Sequence, residues 1–136
     1  MLKKNNKKSI IDVYPTFYDV DIVVANKYTT IKDINKRYKT VEGSDFEDDN
    51  SIAFTDIGYD RKTDKAVIIV KYNHDSKIKG IDKKVDLINT CAHEALHVCM
   101  KIYSKIGEKV YQDDSNELFA YLLGWVAECI YKTLTK

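Results

Sequence analysis

Residues 82–107, DKKVDLINTCAHEALHVCMKIYSKIG, carry the clearest periodic pattern in this chain of 136 residues. Apolar residues recur there at steps of three and four, which is the period of an amphipathic helix. This apolar arc consists of Val85, Ile88, Ala92, Leu96, Cys99, Tyr103 and Ile106. Asp82 suits an N-cap and Gly107 suits a C-terminal stop. The stretch therefore predicts one long helix with its apolar arc towards the core.

The residues before this helix have the β-branched and aromatic composition of strands. Residues 17–25, FYDVDIVVA, predict one strand, and residues 52–59 and 66–72 predict a hairpin closed by the polar turn DRKTDK. Residues 30–38 are compatible with a short helix. Residues 42–50, EGSDFEDDN, are interpreted as a surface loop.

A second long helix is predicted from about residue 115 to residue 134, capped by Asp113 or Asp114. The order of strand, hairpin, helix and helix predicts an α+β fold, in which a small sheet with a hairpin packs on two long helices. The chain has the length of one domain, 1–136, with residues 1–9 as a flexible basic tail. The side chains expected to be buried on the second helix are Leu118, Leu122, Trp125, Val126 and Cys129.

The overall charge argues against nucleic acid or an anionic membrane as the partner. There are 22 Lys and Arg residues against 21 Asp and Glu residues, for a net charge of +1, whereas binding a polyanion through bulk charge needs a basic excess. Residues 1–10 lack the apolar segment of a secretory signal, and no stretch has the length of a transmembrane helix. We therefore expect a cytoplasmic protein, and the sequence does not indicate its oligomeric state.

The three cysteines, Cys91, Cys99 and Cys129, form no CxxC pair, and any disulfide would leave one of them over. Such usage is typical of a reducing compartment. On a helix, Cys91 and Cys99 lie well away from the direction of His93, so neither is expected to join it as a ligand. All three are expected to be buried structural thiols.

Residues 93–97 read HEALH. On a helix, His93 and His97 are one turn apart and can present both imidazoles to one zinc ion. Glu94 is too far around the axis to join them comfortably but can reach a water on the metal, which is the position of a general base. Two surface histidines in contact with water would have the same spacing. Since H-E-x-x-H arises by chance in roughly a few per thousand chains of this size, the pattern favours the metal site.

A catalytic zinc ion needs a third protein ligand. His74 is the only other histidine, and the carboxylate candidates are Glu108, Asp113, Asp114, Glu117 and Glu128. Glu117 is preferred, because at the start of the second helix it can point back across an antiparallel helix pair. It could equally be the third helical residue of a capping box whose N-cap is Asp114. Position alone does not distinguish a metal-ligand role for Glu117 from a helix-capping role.

Nineteen residues separate His97 from Glu117, which follows Asn116. Together with His93-Glu94 this pattern resembles the gluzincin signature of thermolysin-like metallopeptidases, over roughly residues 52–128. The resemblance implies a minimal zincin-like domain, Zn²⁺ held by His93, His97 and Glu117, and Glu94 as catalytic base. It also implies a peptide or protein substrate lying along an edge strand ahead of the active-site helix, here residues 65–72.

The chain departs from that signature at Tyr121, where thermolysin-like enzymes have an aspartate that orients the first histidine. No downstream histidine matches their oxyanion donor, so the phenols of Tyr111 and Tyr121 are the candidates, although each could be a packing residue. The short chain and residues 117–126, ELFAYLLGWV, are also similar to small zincin-like proteins encoded by bacteriophages. That similarity implies a virion as an alternative location.

The expected function is that of a zinc-dependent hydrolase, specifically a metallopeptidase with Glu94 as general base. The main alternative is a non-enzymatic protein that zinc stabilises, such as a structural or host-interaction component of a phage. A deformylase-like amide hydrolase would need a cysteine ligand from a separate segment, and Cys129 is the only cysteine off the first long helix.

Overall fold

The computed structural model describes residues 8–111 and 116–136. Asp113, Asp114 and residues 1–7 of the predicted tail lie outside these ranges. The predicted α+β class is confirmed, with one mixed sheet and three helices. The strands are β1 (Ile11–Pro15), β2 (Asp21–Ala25), β3 (Tyr38–Thr40), β4 (Ala53–Asp60) and β5 (Ala66–Tyr72). The helices are α1 (Ile31–Arg37), α2 (Lys83–Ile106) and α3 (Glu117–Leu134).

The strands lie in the order β1-β2-β5-β4-β3. The pairing of β2 with β5 is parallel, and the other three pairings are antiparallel. One core cluster lies between the sheet and the two long helices, and a second lies on the other face around Ile34 of α1 and Phe46. No helix within the described ranges is long and apolar enough to cross a membrane.

The expectation that residues 65–72 form an edge strand is wrong. β5 pairs with β2 on one side and with β4 on the other, so its hydrogen-bonding groups are taken up within the sheet. Lys71 of this strand also lies inside the protein, since it is only 4% exposed. Its Nζ donates to the carbonyl oxygens of Asn26 (3.2 Å) and Tyr72 (2.6 Å).

The predicted strand at residues 17–25 is shorter in the structure, because β2 starts at Asp21. The preceding residues turn back after β1, a strand that the sequence analysis did not predict. The Thr16 hydroxyl closes this turn by donating to the Val20 carbonyl (2.6 Å) and accepting from the Tyr18 amide (3.1 Å). A local side-chain hydrogen bond thus ends a stretch with strand composition.

The predicted bounds of α2 are confirmed at both ends. The Asp82 side chain caps the amides of Lys84 and Val85, and Gly107 ends the helix with φ = 74°. Most of the predicted apolar arc is wrong, because Val85 is 64% exposed and Leu96 is 45% exposed, whereas burial of Cys99 is confirmed. The buried residues are Thr90, Cys91, Glu94, Ala95, Val98, Cys99 and Ile102.

The buried face of α2 is therefore turned by roughly a quarter of a turn from the predicted one. This helix packs against the sheet and against α3. Small side chains such as Cys91 and Ala95 allow that double contact, and the larger Ile88 and Leu96 remain at the surface. Periodicity alone did not distinguish these two arcs.

For α3, burial of Leu122, Val126 and Cys129 is confirmed, whereas Leu118 is 66% exposed and Trp125 is 38% exposed. The predicted burial of all three cysteines is also confirmed, and none forms a disulfide. Burial raises the pKa of the Cys91 and Cys129 thiols to about 11 and that of Cys99 to about 12. They are neutral at physiological pH and poor metal ligands.

Candidate metal centre

The two histidines of the HEALH stretch converge. His93 Nε2 and His97 Nε2 are 3.2 Å apart, and the rings are T-shaped with centroids 4.9 Å apart. Both residues are exposed on the outer side of α2. Two nitrogens at 2.0–2.1 Å from a tetrahedral zinc ion would be roughly 3.3 Å apart. The pair fits two zinc ligands, and the same distance also fits a hydrogen bond between the rings.

Glu94 lies in a different environment from its neighbour on the helix. Its side chain is 6% exposed, against 67% for His93, and Glu94 Oε1 is 4.0 Å from His93 Nε2. The other carboxylate oxygen, Oε2, accepts a hydrogen bond from the Thr55 hydroxyl of β4. The carboxylate is thus held beside the histidine pair but is not convergent with it.

Thr55 is the residue of this site that sequence reasoning missed. It shares with Ala53 and Ile57 the face of β4 that points towards α2, because every second side chain of a strand lies on the same face. In the sequence, a hydroxyl residue stands between two apolar residues at alternate positions of a predicted strand, and this pattern could have indicated a polar side chain facing the core.

A cleft of about 270 Å³ opens between α2 and the start of β4. Its lining consists of Ser51, Ile52, Ala53, Asp86, Asn89, Thr90, His93 and Glu94. The segment after β5 holds the far wall, because the Asn73 side chain donates to the Ser51 carbonyl (3.0 Å) and the Asn73 amide donates to the Ile52 carbonyl (2.8 Å). Glu94 therefore lines an open cleft with room for a small substrate group.

His74, the alternative histidine ligand, follows Asn73 in the segment after β5 and does not line the cleft. Its Nδ1 is 2.8 Å from the Asp75 carbonyl oxygen, and its Nε2 is 3.0 Å from the Asn50 carbonyl oxygen. A carbonyl oxygen only accepts, so both contacts are satisfied together by the doubly protonated ring. These contacts, chiefly the one with Asp75, raise the His74 pKa. The ring is thus engaged with the backbone and has no nitrogen free for a metal.

Glu117 is the first residue of α3, after the N-cap Asn116, and it is exposed. It is therefore not the third helical residue that a capping box requires, and Asn116 makes no side-chain capping bond. Within residues 8–111 and 116–136, no group of three His, Cys, Asp or Glu side chains is placed to hold a metal ion. The structure brings His93 and His97 together and does not bring Glu117 to them.

The remaining candidates also lie apart from the histidines. Glu128 forms an ion pair with Lys132 (2.9 Å), and Glu108 is exposed beyond the end of α2. The candidate ligands Asp113 and Asp114 are outside the described residues.

Neither candidate oxyanion donor lines the cleft at Glu94. Tyr121 is 72% exposed and lines an apolar groove with Phe17 and Trp125 between the β1–β2 turn and α3. Tyr111 is 52% exposed, and its amide donates to the Asn116 side chain (2.7 Å).

Comparison of the chain with protein families, with curated proteins and with solved structures gives no match. The resemblance of the segment from His93 to Glu117 to the gluzincin signature therefore stays a prediction. Function has to be inferred from the chemistry of the side chains around the cleft.

Proposed function

We propose that this protein is a zinc-dependent metallopeptidase that binds Zn²⁺ through His93 and His97 and uses Glu94 as its general base. The observation that carries the proposal is the 3.2 Å separation of the two Nε2 atoms, with the Glu94 carboxylate fixed beside them at the rim of a cleft. Helical spacing alone would not hold the Glu94 carboxylate in that position, whereas the hydrogen bond from the Thr55 hydroxyl does.

Glu117 is proposed as the third ligand. Two imidazoles and one carboxylate form a donor set typical of catalytic zinc sites, which leave a fourth position to water or substrate. With α3 starting at Glu117, the side chain is free of the capping-box role that competed with this one. The described structure does not bring Glu117 to the histidines, so the assignment depends on the gluzincin-like spacing.

When bound, the metal supplies a water of lowered pKa and polarises the substrate carbonyl. The remaining chemistry belongs to the chain. At its carboxylate, Glu94 would take a proton from the water that attacks the substrate carbonyl and would pass it to the amine that leaves. Thr55 positions Glu94, because its hydroxyl engages Oε2 and leaves Oε1 on the His93 side.

A substrate strand can dock at the free part of β4. Hydrogen bonds join Asn73 N to Ile52 O (2.8 Å) and Asp60 N to Lys65 O (2.9 Å). In an antiparallel pair, the backbone N–H and C=O groups of the even-numbered residues of β4 therefore point towards β5. The odd-numbered residues point their backbone groups the other way, where β3 pairs only with residues 58–60. An extended peptide would therefore pair at Thr55, the residue whose side chain holds Glu94.

The neighbouring backbone groups are partly occupied. The Ile57 amide donates to the Asp56 side chain (2.8 Å), and the Ala53 carbonyl accepts from the Ser51 hydroxyl (3.0 Å). Thr55 is thus the centre of the open edge in the described part of the chain. This edge replaces β5 as the proposed substrate strand.

The test compares wild type with Glu94→Gln, which keeps the size and the acceptor for Thr55 but removes the base. We expect equal zinc content by elemental analysis, an equal melting temperature, and peptide-library cleavage reduced by about 10²–10⁴-fold. Glu108→Gln, an exposed carboxylate, is the matched control and should cleave like wild type. Equal cleavage by wild type and Glu94→Gln would remove the catalytic proposal.

Zinc ligation is tested separately by titration. His93→Ala and His97→Ala should each lose stoichiometric zinc and the thermal stabilisation that zinc provides. Glu117→Gln should weaken zinc binding strongly while Glu108→Gln should not. Full zinc occupancy in Glu117→Gln would transfer the third-ligand role to another residue.

A zinc-stabilised structural or host-interaction protein is the second candidate. The specific observation in its favour is the exposure of both histidines without a third ligand among the described residues. In that case wild type would bind zinc and cleave no peptide, and Glu94→Gln would leave the biological role unchanged.

A further inference from the structure

A second groove, of about 440 Å³, opens along the free part of β4 on its other side. Thr55 lines this groove and also donates to Glu94 of the cleft, so both spaces adjoin the same strand. Five acidic residues also line this groove: Asp45, Glu47, Asp48, Asp49 and Asp56.

Most of this negative charge is not neutralised by the protein. Asp45 pairs with Arg61 (2.6 Å), and Asp49 accepts from the Ser51 amide (2.7 Å). Glu47, Asp48 and Asp56 are exposed and form no ion pair within the described residues.

The basic side chains of the neighbouring strands are already engaged. Lys39 of β3 pairs with Asp64 (3.0 Å), and Lys71 of β5 is buried against backbone carbonyls. The groove therefore presents a negative field to whatever pairs with β4.

The acidic loop, residues 45–49, is held in a fixed position. The Asn35 side chain of α1 accepts from the Phe46 amide (2.7 Å) and donates to the Phe46 carbonyl (2.9 Å). The Phe46 ring is itself buried in the core cluster on that face. The carboxylates on either side of Phe46 are thus presented by an anchored loop, which lowers the ordering cost of binding.

Strand geometry connects the groove to the cleft. Side chains alternate between the two faces of a sheet, so Thr55 points to α2 while Phe54 and Asp56 point to the opposite side. In a peptide strand added beside Thr55, every second side chain would face the cleft at Glu94. The intervening side chains would face the acidic groove.

We propose that this edge of β4 selects extended peptides with Lys or Arg at alternate positions. The inference depends on the proposed function for the cleft and names the class of substrate for it. Two observations carry it: the unpaired backbone at Thr55 and the unneutralised carboxylates on the side of the strand away from α2. Exposed charge pairs contribute modestly one by one, so the three carboxylates that form no ion pair should together change affinity by roughly tenfold.

The experiment measures binding without turnover, by fluorescence anisotropy with the full-length Glu94→Gln protein. The labelled probe is an eight-residue peptide with four lysines alternating with four threonines. Three comparison peptides carry glutamate in place of lysine, the same lysines in one contiguous block, or N-methyl groups at alternate backbone amides. The alternating peptide should bind at least about tenfold more tightly than each of the others, and added salt should weaken it.

The protein side is tested with Glu47→Gln/Asp48→Asn/Asp56→Asn, expected to weaken binding roughly tenfold. The triple control Asp19→Asn/Glu108→Gln/Glu128→Gln makes the same change in net charge away from the groove and should bind like the parent protein. If the groove variant melts at a lower temperature, Asp48→Asn alone is used. The Asp48 carboxylate makes no hydrogen bond within the described residues, and a loss of about twofold is expected.

Equal binding of the contiguous-lysine peptide, or equal losses in the two triple variants, would overturn the proposal. Its failure is separable from that of the proposed function. If the zinc-loaded wild type binds the alternating peptide tightly and cleaves nothing, the peptidase proposal fails and the docking proposal stands. If it cleaves peptides regardless of their charge, the docking proposal fails and the peptidase proposal stands.

Discussion

β4 and β5 are partners in one hairpin, yet they have opposite roles. β5 is paired on both edges, and its residues from Val67 to Tyr72 are all buried. β4 is covered by β3 at residues 58–60 only, and Gly58 is its single buried residue. The side chain that positions the proposed base, Thr55, lies on the open strand. The enclosed strand provides the rigid support, and the open strand provides access for a substrate.

The largest difference between the strands is expected in core stability. Ile69→Ala in β5 removes a side chain that is 0% exposed and should lower the free energy of unfolding by about 2–5 kcal/mol. Ile57→Ala in β4, which is only partly buried, should cost less. Urea denaturation measures both. Equal losses would contradict the contrast between an enclosed and an open strand.

Lys71 tests how completely β5 is enclosed. Burial lowers its pKa from 10.5 to about 8. The folded protein therefore releases this proton at lower pH than the unfolded chain, and stability contributed by Lys71 should rise between pH 8 and pH 10.5. Relative to Lys71→Met, wild type should gain up to about 3 kcal/mol across that window. A difference that does not change with pH, measured by denaturation at both ends, would show that Lys71 is solvated.

Thr55 tests the link between the open strand and the proposed base. Thr55→Val leaves a largely buried carboxylate without its donor and should cost about 1–3 kcal/mol, together with a loss of peptide cleavage. Thr55→Ser keeps the hydroxyl and should restore most of both. If Thr55→Ser behaves like Thr55→Val in melting and cleavage assays, packing and not the hydrogen bond is responsible.

Gly58 tests the point where β4 stops being open. A methyl group there would meet the Lys39 carbonyl and the Phe46 ring, so Gly58→Ala should cost about 1–3 kcal/mol. Gly124→Ala on α3 is the control, because nothing lies within 4 Å of the added group. Helix propensity predicts that this second change stabilises the protein by about 0.5–1 kcal/mol. Thermal melts that shift in the same direction would contradict the crowding at Gly58.

His74 should have the smallest effect, since it is a partly exposed clamp between the ends of the two strands. Its pKa is raised by the backbone carbonyls of Asp75 and Asn50, with Lys77 opposing. Its stabilising contribution is therefore complete below the unfolded pKa of 6.5 and is lost as pH rises through the folded pKa. The difference in melting temperature between wild type and His74→Ala should be larger at pH 5.5 than at pH 8.5. A larger difference at the higher pH would exclude the doubly protonated clamp.

Much of the local structure was predictable because its causes lie within one helical turn or one strand. Asp82 and Gly107 end α2 through their own capping geometry, and Thr30 caps α1 in the same way. The convergence of His93 and His97 is likewise a property of helical spacing. Even the interior position of β5 had a signal, since the continuous apolar run AVIIV is typical of a strand buried on both faces.

The sequence by itself thus determined the α+β class, the bounds of α2 and β5, the buried cysteines and the paired histidines. Only the tertiary structure decided which face of α2 is buried, which edge of the sheet is open, and that Thr55 holds Glu94. These features depend on contacts between residues distant in the chain, such as the parallel pairing of β2 with β5. Periodicity describes how side chains are spaced along an element, and it does not specify which partner that element meets.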